Sequence, residues 1–74
     1  METYKILKNV HGHESKNTVL ETGLLIEDAK AALSGHKKTI SVLHNLEQET
    51  EMIFSFENEN NAIVTYSIES EDGK

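Results

Sequence analysis

The chain has no cysteine, no proline, no tryptophan and no arginine. Without cysteine, disulfides, thiolate metal sites and cysteine-based catalysis are excluded. Arginine is the side chain that reads phosphates and guanine edges through paired hydrogen bonds. Its absence from a chain of net charge −6 argues against direct nucleic-acid binding. No apolar run approaches the roughly 18 residues that a membrane span needs. Met1 to Lys5 lacks a basic region followed by an apolar one, so it does not read as a signal peptide. A soluble, cytoplasmic protein is expected.

Glycine is scarce and scattered, at positions 12, 23, 35 and 73, so no glycine-rich phosphate loop exists. Zinc-protease and calcium-loop spacings are also absent. With 74 residues, one small domain, 1–74, is expected. A chain this short buries only about 60% of its unfolded surface. Its core supplies roughly 3–5 kcal/mol unless something else helps. With disulfides excluded, self-association is the help left open.

Charge is present in quantity and unevenly placed. Residues 1–38 carry six lysines against five carboxylates, whereas residues 39–74 carry only Lys74 against eight. From Thr39 to Gly73 no lysine or arginine occurs. Halves this different deserve an explanation.

Periodicity gives the elements. Thr3 to Val10 reads as a strand, with Tyr4, Ile6 and Val10 on one face and Lys8 among them. His11 to Asn17 reads as a loop, and Thr18 to Thr22 as a short returning strand, so the pair forms a hairpin with a long tip. Leu25, Ala29, Ala32 and Leu33 recur at helical spacing. The expected helix runs from about Ile26 to Ser34. Glu27 and Asp28 complement its dipole, Gly35 stops it, and no good N-cap residue precedes it.

The period then changes to two. Ile40, Val42 and His44 alternate with Thr39, Ser41 and Leu43, as do Met52, Phe54 and Phe56, and then Ala62, Val64, Tyr66 and Ile68, with their neighbours. Three strands of an antiparallel meander follow. The first turn, Leu46 to Thr50, has weak turn chemistry, and Val42 to Met52 also reads as a helix. Pairing Phe56 with Val64, Phe54 with Tyr66 and Met52 with Ile68 keeps all six on one face. The loop is then Glu59-Asn60-Asn61, where asparagine tolerates the left-handed conformation required. A five-residue loop placing Phe56 opposite Ala62 preserves the same facing. Residues 70–74 read as a frayed tail. The order ββαβββ gives an α+β fold: an antiparallel sheet of about five strands with one helix packed on one face. The other face would carry Leu7, Leu43, Ile53 and Ile63 among polar residues.

Candidate chemistry is thin. His11 and His13 point the same way on an extended chain, with Glu14 nearby, but lack the third and fourth ligands of a metal site. His44 reads as a semi-buried strand histidine. No serine is marked as a nucleophile, and chance alone brings some of thirteen carboxylates together. No catalytic residue, metal or cofactor is expected, and the chain does not read as an enzyme.

The acidic second half is the strongest remaining feature. The favoured register sets Glu51 opposite Glu69, a repulsive arrangement. Carboxylates held together at a cost suit a basic partner. They equally suit solubility and protection of a sheet edge. The first reading makes the chain an acidic protein-binding module that inhibits or adapts a basic partner, for example one that handles nucleic acid. Glu47, Glu49, Glu51, Glu57 and Glu59 would be its contact residues. The alternative is a homo-oligomer, at its simplest a homodimer. Its assembly would cover the second sheet face or a free edge, with a structural role or a small ligand held between subunits.

Overall fold

In a computed structural model, which describes residues 2–12 and 14–71, the elements are β1 (Tyr4–His11), β2 (Ser15–Leu24), α1 (Ile26–Ser41), β3 (Leu46–Glu49), β4 (Ile53–Glu57) and β5 (Ile63–Ser70). The fold is α+β with the order ββαβββ. The strands form one antiparallel sheet in the order β2-β1-β5-β4-β3, so the first and last strands pair in its interior. Among the described residues no helix is long and apolar enough to cross a membrane.

The β4–β5 pair has the expected register, with Phe54 opposite Tyr66 and Phe56 opposite Val64. Its loop closes through two asparagines. The Asn58 backbone N–H donates to the Ala62 carbonyl at 2.9 Å. The Asn58 side-chain oxygen accepts from the N–H groups of Asn60 and Ala62 at 2.9 and 3.0 Å. Asn61 takes the left-handed turn at φ 63°. Asparagine supplies both the backbone-mimicking acceptor and the tolerance of positive φ.

One core cluster lies between sheet and helix: Ile6, Ala29, Leu33, Phe54, Phe56, Val64, Tyr66 and Ile68. Phe54 and Tyr66 stack with ring centroids 4.9 Å apart. Tyr66 also takes the His36 ring at 5.4 Å, and the Lys8 ammonium lies 5.9 Å from its centroid.

The helix is longer than the sequence pattern suggests. It passes through Gly35 and ends at Ser41, so Ile40 is helical and Val42 and His44 lie in the turn that follows. The expected strand over 39–44 does not form. A mid-helix glycine costs about 1 kcal/mol relative to alanine. That cost is offset because the same helical face continues: Ala29, Leu33, His36 and Ile40 follow one another at spacings of four, three and four. Ile40 packs against the core, and His36 stacks on Tyr66. The helix has no side-chain N-cap, as expected, and Glu27 and Asp28 occupy its first turn.

Replacing Gly35 tests this directly. It has a helical backbone and open space where a Cβ would sit. Gly35→Ala is therefore expected to raise stability by about 0.5–1 kcal/mol in urea unfolding. A glycine ending the helix in the left-handed region would instead make alanine destabilising.

Three further elements differ from expectation. The hairpin tip is short, because β1 reaches His11 and β2 begins at Ser15. The His11 Nδ1 and Ser15 Oγ atoms, 3.0 Å apart, close it. The expected turn at Leu46–Thr50 is mostly strand β3, with Leu46 opposite Phe56. The turn comes after it and is built by Thr50. The Thr50 hydroxyl accepts from the N–H groups of Met52 and Ile53 at 3.2 and 3.1 Å. Its N–H donates to the Ile53 carbonyl at 2.8 Å. The chain end is also tied further than expected. Ser70 belongs to β5, the Glu71 N–H donates to the Thr3 carbonyl at 2.9 Å, and the Gly23 N–H donates to the Glu71 carboxylate at 2.5 Å. The rest of the expected tail, 72–74, lies outside the described residues, as does His13. Nearby, the Ser70 hydroxyl and then the Tyr4 hydroxyl donate to Glu2, holding its carboxyl below the usual carboxylate range.

Candidate partner interface

The five candidate carboxylates fall into two groups. Glu49 and Glu51, at the end of β3 and in the turn after it, reach towards the helix. Glu49 pairs with Lys37 at 3.1 Å and Glu51 with Lys30 at 3.3 Å. Lys30 and Lys37 are seven apart, so the helix presents both on one face. The two pairs span the gap between α1 and β3. Their glutamates are exposed and their lysines half-buried, and ion pairs this open to solvent contribute little stability, about 0–1 kcal/mol each. Their larger consequence is to neutralise two of the carboxylates that composition alone leaves available. Glu69, expected to face Glu51, has Lys5 opposite it on β1.

Glu47, Glu57 and Glu59 form the other group. All three are exposed, and none has an ion-pair partner among the described residues. Antiparallel pairing gathers them at one end of the sheet. β3 starts there, β4 finishes there at Glu57, and the loop carrying Glu59 turns there. The β1–β2 tip lies at the same end, close enough that a Cβ on Gly12 would stand 2.9 Å from the Ala62 methyl.

The α1–β3 connection brings an apolar feature to this end. Val42 and Leu43 are 81% and 78% exposed, the most exposed large hydrophobic side chains among the described residues. They do not lie on the second sheet face, where Leu43 is expected from sequence. His44, half-buried beside them, is the connection's anchor, with its ring 4.8 Å from that of Phe56. The Ile40 carbonyl accepts from the N–H groups of both Leu43 and His44, at 3.0 and 2.9 Å, which holds the turn in shape. Two adjacent apolar side chains are thus displayed on a fixed turn at the end of the sheet that carries these carboxylates.

Two clefts flank the helix. One, of about 300 Å³, is lined by Lys30, Ala31, Leu33, Ser34, Lys37, Thr50 and Glu51. The other lies between the helix end and β3, and its lining includes Lys37, Lys38, His44 and Glu49. The carboxylates lining them are the two already bound to lysine. No group of three metal-ligating side chains occurs among the described residues. No family model, curated protein or solved structure matches the chain.

Sequence reasoning missed Val42 and Leu43 because alternation with Ile40 and His44 placed them in a strand. It missed the Lys37–Glu49 pair because a helix ending at Ser34 does not include Lys37, and the Lys30–Glu51 pair because the expected register set Glu51 against Glu69. Extending the 29–33–36–40 stripe through Gly35 is the signal that would have moved Val42 and Leu43 out of the sheet and brought Lys37 onto the helix.

Proposed function

We propose that this chain is a small, non-enzymatic binding module that inhibits or adapts a basic protein. The docking surface is the sheet end carrying Val42, Leu43, Glu47, Glu57 and Glu59. The observation that supports this reading is the pairing of two exposed apolar side chains with carboxylates that no lysine neutralises among the described residues. Protein interfaces combine an apolar centre with a polar rim. Exposing adjacent large apolar groups on an ordered turn has no folding benefit, whereas a partner would remove them from water. The carboxylates would raise the encounter rate with a basic surface and orient it. Glu49 and Glu51 have a different part in this reading, as the internal counter-ions of Lys37 and Lys30.

The test compares the tagged wild-type chain with E57K/E59K and with V42S/L43S on source-cell lysate, at low and high salt, read by quantitative mass spectrometry. A basic protein recovered by the wild type at low salt, and lost at high salt, is expected. Its affinity, measured with the purified partner, should fall at least about tenfold in E57K/E59K, or about 1.4 kcal/mol. The altered side chains are exposed, so circular dichroism should remain that of the wild type. Equal affinity in both variants rejects this surface.

A further inference from the structure

We propose that β2 is the edge through which two copies of this chain pair, antiparallel and about a two-fold axis, into one continuous sheet. The sheet has two outer strands, and they are built differently. β3 is four residues long, carries Glu47 and Glu49, and has a register irregularity between Leu46 and Gln48. Short length, charge and irregularity are the devices that blunt an edge against further pairing. β2 is ten residues long, and its second half carries the irregularities: register shifts follow Val19, and Gly23 has φ 69°. Its first half does not. Ser15, Lys16, Asn17, Thr18 and Val19 stay in unbroken register with His11, Val10, Asn9, Lys8 and Leu7, and all five are exposed. Among the described residues, the outward backbone groups of this stretch face no other strand.

Two patterns on β2 identify the occupant as a second copy. The first is charge. Lys16 stands opposite Val10 and Glu21 opposite Ile6, so both belong to the helix-facing side. Neither has an ion-pair partner among the described residues. Counted in the ladder positions of β2 against β1, where Leu20 is the extra residue, a two-fold pairing centred on Thr18 reverses the strand and sets each Lys16 opposite the Glu21 of the second copy, making the contact twice. The second is the other sheet face, where Ile53, Ser67, Leu7 and Val19 lie side by side across β4, β5, β1 and β2. Val19, 52% exposed, ends that row at the edge. Self-pairing centred on Thr18 sets each Val19 opposite the Asn17 of the second copy and so covers the exposed end of that row. Joining β3 to β3 would instead bring Glu47 and Glu49 of both copies together. An interface of one short strand pair is small, so affinity in about the micromolar range is expected.

The test is sedimentation velocity over a concentration series with the wild type, Lys16→Glu, Glu21→Lys, an equimolar mixture of these two variants, and the double variant K16E/E21K. The wild type should pass from monomer to dimer as concentration rises. Each single variant should dimerise at least about tenfold more weakly, because like charges then meet twice. The mixture should regain the dimer, since every glutamate of one variant meets a lysine of the other, and the double variant should match the wild type. A mere folding defect cannot be rescued by mixing. A wild type that stays monomeric at about millimolar concentration overturns the proposal. So do single variants that dimerise as the wild type does, a mixture that fails to recover, or assemblies that grow beyond a dimer.

Discussion

Phe54→Ala is expected to leave the domain largely unfolded under conditions in which the wild type is folded. Phe54 is fully buried and is the largest such side chain. It stacks on Tyr66 at 4.9 Å and stands opposite it in the register. Removing a buried phenyl ring costs about 3–5 kcal/mol. A core of this size supplies roughly that much net stability in total, and with no disulfide there is no covalent reserve. Near-ultraviolet circular dichroism and urea unfolding provide the measurement. A stability loss under about 1 kcal/mol would mean that the Phe54–Tyr66 stack is not the centre of the core.

Leu33→Ala should have the next largest effect and a different character. Ala29 and Leu33 are the buried residues of α1, and Leu33 is the larger. Truncating it costs about 2–5 kcal/mol, depending on how far the site collapses. The strand ladders do not pass through this residue, so the loss should appear first as undocking of the helix. Hydrogen exchange should show α1 amides losing protection before those of β1 and β5. Uniform loss across helix and sheet would instead mean that the two unfold as one unit. The half-buried Ile26, Ala32 and Ile40 cannot hold the helix alone, because a helix this short is marginal in water without tertiary contacts.

Both predictions rest on residues that periodicity assigns to the core, and the most regular parts of the chain were the most legible. Phe54, Phe56, Val64, Tyr66 and Ile68 alternate cleanly, and slipping the register by one residue would turn them to solvent. Asn58 and Asn61 carry turn chemistry strong enough to set the loop. The region from Gly35 to Thr50 was not legible for equally physical reasons. Gly35 followed by His36, Lys37 and Lys38 has the composition of a helix end. Thr39 to His44 has the alternation of a strand. Both local signals yield to His36 and Ile40, whose packing on the core extends the helix past them. The candidate interface inherited that misreading. Its apolar pair was assigned to the sheet, and two of its carboxylates, Glu49 and Glu51, turned out to be joined to helix lysines.

By itself, the amino-acid sequence determined the α+β class, the start of the helix, the β4–β5 register and the acidic excess of the second half. Each follows from interactions between residues close in the chain, or from counting charges. Only the tertiary structure decided that β1 lies between β2 and β5, that the helix continues to Ser41, and that Leu46–Glu49 is strand β3 with its turn after it. It also decided which carboxylates meet a lysine. These depend on contacts between distant segments, such as Lys5 opposite Glu69 and His36 against Tyr66. Such contacts form only after loop closure has brought those segments together, and their gain then outweighs the small local preferences that a sequence displays.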